Sequence, residues 1–212
     1  TSRELRDQWM AHIDEESERA RRIVRRLLDS VRQPRLHLSV CELTDLVETS
    51  VNLVTGQIAD TTEAHILMIP EVRLYLDRER LQQVFINLVK NAADAGAQNV
   101  WIDAYETTWR ESRPASLDLV FGDNTQLAEA NSVIQIEIGD DGPGIPEDNL
   151  PQIFNPFFTT QSGHDGTGLG LYIAREICES NQARLSYHPG PQGGSCFRIA
   201  FPESVISAVY PI

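Results

Sequence analysis

Apolar residues recur with two different periods along this chain, and the period distinguishes its helices from its strands. Ahead of Pro34, a stretch without Gly or Pro predicts one long helix over about residues 3–31, roughly 40 Å at the helical rise. Its apolar positions follow 3-4 spacing: Ala20, Ile23, Val24, Leu27, Leu28 and Val31. A helix with a single apolar seam needs a partner, which favours an origin in a hairpin or bundle over a helix lying on its own domain.

Past Pro34, stretches in which apolar and polar residues alternate predict strands. They are "RLHLSV", "HILMIP", "VRLYLD", "NVWIDAY", residues 133–139, "ARLSYH" and "SCFRIAF". A turn at Pro70 and Glu71 separates the second from the third, and the last two form a hairpin around Gly193 and Gly194. Residues 106–132 lack any period, so we expect a long loop there.

Three stretches with helical period alternate with these strands, at 41–54, 78–96 and about 169–181. Gly56 closes the first, and Asp77 is placed to cap the N-terminus of the second. Strands interleaved with helices and followed by a terminal hairpin predict an α+β fold. We expect a two-layer α/β sandwich, with a mixed sheet that carries its helices on one face.

Charge is distributed unevenly between the two parts of the chain. The net charge is −13 overall, but residues 1–36 carry nine Arg and seven acids, so the rest of the chain is strongly acidic. An acidic body argues against nucleic acid as a ligand. No apolar run reaches the length of a membrane span, so we expect no membrane contact by this chain and a cytoplasmic location.

The three cysteines also favour a reducing compartment. Cys41, Cys178 and Cys196 are odd in number, widely spaced and set among apolar neighbours. They lack the CxxC spacing of a metal site, so we interpret them as reduced core residues.

Candidate chemistry begins with the polar face of the helix predicted over 78–96. Asn87, Lys90, Asn91 and Asp94 lie at i, i+3, i+4 and i+7. The opposite face is an apolar stripe: Leu81, Val84, Phe85, Leu88 and Ala92. Asparagine is a modest helix former, so two of them one turn apart need a reason. Either they are solvated, or their amide oxygens hold a hard cation such as Mg²⁺.

The stretch "DDGPGIP", residues 140–146, follows an alternating strand. A carboxylate at the strand end, Asp140, can accept a hydrogen bond from an amine, and an adenine amine is the natural donor. Gly142 and Gly144 would let a flat ligand lie against the backbone. The alternative is a purely structural turn.

Two later stretches complete the candidate site. "IFNPFFTT", residues 153–160, is either core or the anchor of a mobile loop that begins near Gln161. In "GTGLGLYIAREI" three glycines precede a strong helix, whose free N–H groups and dipole suit a phosphate. Leu171 stands where a Rossmann motif needs its last glycine, and the one lysine, Lys90, follows Val89 rather than the glycine of a P-loop.

In this order, the four motifs resemble the catalytic ATP-binding domain of sensor histidine kinases of two-component systems, in the GHKL superfamily. "NLVKNAADA" looks like the N box, "DDGPGIP" and "GTGLGL" like the two glycine boxes, and "IFNPFF" like the F box. "PFFTT" with a short lid is similar to the nitrogen-regulation branch. The resemblance implies a Bergerat fold over 34–205, the second helix of a dimerisation hairpin over 1–33, and a tail over 206–212.

The resemblance also implies the site. Asp140 recognises the adenine amine, Asn91 helped by Asn87 ligates Mg²⁺, and these two asparagines are the implied catalytic residues. The residues implied to bind ATP are Asn87, Lys90, Asn91, Asp94, Asp140, Gly142, Gly144, Ile145, Phe157, Thr159, Thr160, Gly166, Thr167, Gly168, Leu169 and Gly170.

The acceptor histidine is the part of the resemblance that is missing. Such kinases transfer the γ-phosphoryl of ATP to a histidine in an H-E-x-x-x-P-like motif and then to a response regulator, and they dimerise through the hairpin. No such motif is present. We interpret His12 as a solvated helix residue and the chain as a fragment that starts after the acceptor helix. Gln161 stands where relatives often carry a lysine. A GHKL-type ATPase and a non-catalytic nucleotide-binding module remain as alternatives.

Overall fold

The computed structural model describes residues 36–58, 61–108, 119–121, 132–160, 166–190 and 193–206. It also places six earlier positions in helix: Arg6, Trp9, Met10, His12, Ile13 and Ser17. The rest of the helix predicted over 3–31 and residues 207–212 lie outside the described residues. The chain divides into two compact units, Thr1–Arg35 and Leu36–Ile212. None of the helices within the described ranges combines the length and the apolar character that crossing a membrane requires.

A six-stranded mixed sheet forms one layer of the second unit. In spatial order its strands are β2 (Glu63–Ile66), β4 (Asn99–Thr107), β6 (Val133–Asp140), β8 (Ser195–Pro202), β7 (Arg184–Pro189) and β5 (Leu119–Phe121). Only the β2–β4 pair is parallel. A separate two-stranded antiparallel sheet joins β1 (Leu38–Glu42) to β3 (Arg73–Asp77).

Three helices pack with these sheets: α1 (Leu43–Thr55), α2 (Arg78–Asp94) and α3 (Gly170–Ser180). The five residues of the predicted apolar stripe on α2 are all buried. They share the core with alternate residues of β6, such as Ile134 and Ile136. The architecture is the predicted α+β fold, built from a mixed sheet and helices. The three cysteines are buried and free, as expected.

The cap of α2 was predicted correctly and has a wider role. Asp77 Oδ1 accepts a hydrogen bond from the Arg80 amide at 3.3 Å, which satisfies one of the free N–H groups of the first turn. Its Oδ2 accepts from the His37 amide at 3.0 Å. One carboxylate therefore caps the helix and holds the chain just ahead of β1.

Two details of the sequence-based prediction are wrong. The expected loop over 106–132 contains the end of β4 and the strand β5, which pairs with β7. Three residues are too few to show a period, so the pairing partner makes this strand. Cys41 and Glu42 belong to β1 rather than to the following helix. The two strands predicted on either side of Pro70 are present, and they join different sheets: β2 pairs with β4, and β3 pairs with β1.

Candidate functional site

Asp140 ends β6 with its carboxylate buried, at 8 % exposure. Its Oδ1 accepts hydrogen bonds from the Gly142 amide at 2.9 Å and from the Ser195 amide at 3.1 Å. Burial raises the pKa of Asp140, and the hydrogen bonds from Ser195 and Gly142 offset part of that rise. The side chain is thus fixed in orientation at the end of the sheet, as a site for recognising a donor requires.

The adjacent carboxylate, Asp141, has a different task. Its Oδ1 accepts from the amides of Gln98 and Asn99, each at 2.8 Å, and its Oδ2 accepts from Asn99 Nδ2 at 2.8 Å. These hydrogen bonds, the backbone bond from Asn99 first, lower the pKa of Asp141. Asp141 therefore holds the start of β4, and of the two acids Asp140 is the buried one.

The tip of the β7–β8 hairpin packs directly on Asp140. A Cβ at Gly194 would collide with the Asp140 carbonyl oxygen and lie 2.9 Å from its Oδ1. Gly144 has φ +71°, and a Cβ there would lie 2.5 Å from the Gly193 carbonyl oxygen. Gly144 is therefore needed for the approach of the hairpin as well as for any ligand. The sequence pattern predicts the Gly193-Gly194 turn, but nothing in it indicates that Gly194 and Ser195 belong to the site.

The F-box segment divides between core and surface. Phe154 is buried and meets the Phe197 ring edge-on at 6.4 Å between centroids. Phe157 is 52 % exposed, with φ +68°. Thr159 and Thr160 are exposed and lead into residues 161–165, which lie outside the described part of the chain together with Gln161 and the predicted mobile loop. The core interpretation is confirmed for Phe154, and the interpretation of the segment as a loop anchor stays a prediction.

The second glycine box rests on that F-box turn. Gly168 has φ +62°, and a Cβ there would lie 2.7 Å from the carbonyl oxygens of both Phe157 and Phe158. Leu169 is fully buried beside it, and Gly170 is the first residue of α3. Gly166 and Thr167, which precede Gly168, are partly exposed. The loop therefore leaves the F-box turn and delivers the chain to a helix N-terminus.

The asparagines of α2 meet that helix N-terminus. Asn87 Nδ2 donates to the Gly170 carbonyl at 3.2 Å. A Cβ at Gly170 would lie 3.2 Å from Asn91 Oδ1, so the Asn91 amide lies against the glycine loop. Lys90 and Asp94 are exposed on the same helix. The structure thus brings Asn87, Asn91 and the second glycine box together, while Asp140, Gly142 and Gly144 lie together at the end of β6.

The two asparagine side chains beside the second glycine box would offer a cation amide oxygens. Within the described ranges, no group of three or more His, Cys, Asp or Glu side chains could hold a metal ion. Mg²⁺ commonly takes few protein oxygens and completes its shell with water and phosphate oxygens. The amide oxygens of Asn87 and Asn91 lie beside a glycine loop that suits a phosphate, and they fit such a cation.

Comparisons with known proteins indicate the family to which these motifs belong. The family model described as "Histidine kinase-, DNA gyrase B-, and HSP90-like ATPase" matches residues 76–205. The chain is 33% identical over 195 residues to the sensor protein kinase PilS of Pseudomonas aeruginosa, which covers 89% of this chain and 32% of PilS. It is 32% identical over 192 residues to the sensor protein FixL of Bradyrhizobium diazoefficiens, covering 90% of this chain and 34% of FixL.

A solved structure, the catalytic domain of the histidine kinase ThkA, superposes with a TM-score of 0.56 at 26% identity. The superposition covers 79% of this chain and 96% of that one. The chain spans about a third of the length of the curated relatives it matches. The matched residues include α2, both glycine boxes and the F box, and the chain belongs to the histidine kinase-, DNA gyrase B- and HSP90-like ATPase family, with the catalytic-domain fold of its sensor histidine kinases.

Proposed function

We propose that this chain is the ATP-binding catalytic domain of a sensor histidine kinase. It transfers the γ-phosphoryl group of ATP to a histidine on an acceptor helix, from which the group passes to an aspartate of a response regulator receiver domain. One observation carries the proposal: a buried, oriented carboxylate and an asparagine-lined glycine loop occur in one domain. The first suits adenine and the second suits phosphates.

Asp140 supplies the base recognition. Two backbone amides already hold its Oδ1, so the carboxylate does not have to reorganise when it accepts a hydrogen bond from the exocyclic amine of adenine. Gly142 and Ile145 flank this carboxylate on the turn that follows β6. Burial raises the pKa of the Tyr187 hydroxyl, and the neighbouring Ile145 backbone and Ser195 side chain offset part of that rise, so Tyr187 lies between the turn and the hairpin.

The second glycine box supplies the phosphate site. Gly166, Thr167, Gly168 and Leu169 lead to Gly170, where the free N–H groups and the dipole of α3 favour negative charge. Phe157 forms the F-box turn on which Gly168 rests, and Thr159 and Thr160, which follow that turn, belong to the proposed phosphate site. Lys90 and Asp94 lie at the exposed edge of α2, where the triphosphate tail would leave the site.

Asn91, with Asn87, would hold Mg²⁺. Asn87 commits its Nδ2 to the Gly170 carbonyl, so its Oδ1 is the atom that remains for a cation or its water shell. When bound, Mg²⁺ neutralises charge on the phosphates as the γ-phosphoryl group leaves. The residues of this chain then position the nucleotide, and the acceptor imidazole provides the nucleophile.

The partners follow from the proposed reaction. We place the domain in the cytoplasm, in a homodimer that forms through dimerisation helices, with a response regulator receiver domain as the final acceptor. Full-length relatives are sensor kinases, and in them this region is about a third of the chain.

Labelling with γ-labelled ATP and Mg²⁺ tests the proposal. The chain is incubated alone and with a peptide that carries a complete acceptor hairpin, and phosphate that is labile in acid and stable in base is scored as phosphohistidine. We expect label on the hairpin and none on this chain alone. Label on this chain alone would make His12 or another of its own histidines the acceptor. Absence of label with ATP still bound would favour a GHKL-type ATPase or a nucleotide-binding module.

A further inference from the structure

Hydrogen bonds join α2 and α3 at two separate points. At the candidate site, Asn87 Nδ2 donates to the Gly170 carbonyl at 3.2 Å. At the far end, the Asp77 amide donates to Asn181 Oδ1 at 2.8 Å. The start of α2 thus meets the end of α3 at the far junction, and the start of α3 meets the middle of α2 at the candidate site, so the two helices run antiparallel.

The two junctions are spaced equally along both helices. At the helical rise, Asp77 to Asn87 and Gly170 to Asn181 each span roughly 15–17 Å. Sliding α3 along α2 would therefore break both junctions together. The far junction fixes the same axial register that places Gly170 beside the asparagines.

The polar groups at the far junction are buried and hydrogen-bonded. Asn181 is 2 % exposed, and its Nδ2 donates to the Ile177 carbonyl at 2.9 Å, so the amide is held in one orientation. Asp77 is also buried, and its carboxylate accepts from the amides of Arg80 and His37. Asn181 therefore attaches α3 to a point that cannot easily move.

We propose that Asn181 is a positioning residue: it sets the register of α3 on α2 and thereby places the second glycine box for the phosphates of ATP. This inference rests on the proposed function. Asn181 is expected to affect the binding of phosphates, because the helices that it joins carry the proposed phosphate site. Asp140, which is proposed to bind adenine, lies on β6 and not on either helix. Loss of the junction should weaken the binding of phosphates and leave adenine binding unaltered.

The test compares two ligands on two variants of the full chain. Asn181→Ala removes the acceptor at the junction. Ser50→Ala is the matched control, because Ser50 is fully buried and its hydroxyl donates to the Leu46 carbonyl within α1, joining no other element. For Asn181→Ala we expect affinity for a non-hydrolysable ATP analogue with Mg²⁺ to fall about fivefold to tenfold, with adenosine affinity within about twofold. The control should change neither.

Equal losses for adenosine and the ATP analogue in Asn181→Ala would overturn the proposal, since they would show a merely structural role. An unchanged affinity for both would overturn it as well. Failure of the wild-type chain to bind the ATP analogue would instead contradict the proposed function, so the two failures are distinguishable.

A measurement on the wild-type chain covers the case in which Asn181→Ala does not fold. Coupling between sites is reciprocal, so phosphate binding must strengthen the junction if the junction strengthens phosphate binding. We expect hydrogen exchange of the Asp77 amide, followed by NMR, to slow when the ATP analogue and Mg²⁺ bind and to slow less with adenosine. Equal exchange with both ligands would overturn the proposal.

Discussion

At the scale of single residues, Asp140 and Asp141 show how backbone geometry assigns different tasks to identical side chains. Successive side chains of a strand point to opposite faces, so neighbouring acids at the end of β6 separate. Burial raises the pKa of Asp140, whereas hydrogen bonds from Asn99 and Gln98 lower that of Asp141. The buried acid can serve a ligand, and the other stabilises the turn around it.

Removal of the Asn91 amide tests the proposed cation site. In Asn91→Ala, we expect ATP affinity to become the same with and without Mg²⁺, because the amide oxygen that would hold the ion is gone. Gln83→Ala, an exposed substitution on the same helix, should retain the full Mg²⁺ dependence. Nucleotide titrations in Mg²⁺ and in EDTA give the comparison, and undiminished Mg²⁺ dependence in Asn91→Ala would contradict the assignment.

The residues that sequence patterns found and missed differ in the range of their contacts. Asn87, Asn91 and Asp140 stand out because helical spacing or a strand end marks them locally. Ser195 and Asn181 do not, because they act through partners 55 and 104 positions away. A pattern within one element carries no information about which distant element will contact it.

At the scale of elements, the F-box turn and the second glycine box form a single unit. Gly168 occupies a left-handed conformation, and its missing side chain lets the loop lie on the carbonyls of Phe157 and Phe158. The pattern of residues along the chain predicted both segments but not their contact. It also missed β5, a strand that exists because β7 offers an edge to pair with.

Adding a methyl group at Gly168 should push the second glycine box away from the F-box turn. For Gly168→Ala, we expect the free energy of unfolding to fall by about 1–3 kcal/mol, the cost of a left-handed residue with a side chain, and ATP affinity to fall with it. Gly56→Ala is the control, because Gly56 has φ −77° at the end of α1 and nothing lies within 4 Å of an added Cβ. Chemical denaturation and nucleotide titration measure the two effects, and equal behaviour of the variants would contradict the contact.

At the scale of the whole molecule, the sheet carries a polar network as well as an apolar core. Glu137 Oε1 accepts from the Tyr105 hydroxyl and from Gln135 Nε2, each at 2.8 Å, and forms an ion pair with Arg198 Nε at 2.7 Å. Arg198 also contacts His188 Nδ1 at 3.1 Å. Four strands, β4, β6, β8 and β7, are therefore linked by side chains in addition to their backbone hydrogen bonds.

This network makes stability depend on pH. Burial, together with the nearby Arg198 guanidinium, lowers the pKa of His188 to about 4. In the unfolded chain His188 takes up a proton near pH 6.5, whereas in the folded chain it does so only near pH 4. The free energy of unfolding therefore falls as the pH is lowered through this window. Between pH 7 and 4.5, we expect the free energy of unfolding of the wild type to fall by ~1–3 kcal/mol more than that of His188→Gln. Urea denaturation at several pH values measures the difference, and parallel pH profiles would contradict it.

An ATP titration of the wild type, Asp140→Asn and Asp141→Asn distinguishes the tasks of the two acids. The buried acid at the end of β6 is expected to recognise adenine, while its neighbour only holds the fold. We predict that Asp140→Asn loses about 1.5–3 kcal/mol of binding free energy, as for a hydrogen bond to a charged group. Asp141→Asn should bind ATP like the wild type and unfold more easily. Undiminished ATP affinity in Asp140→Asn would contradict the account.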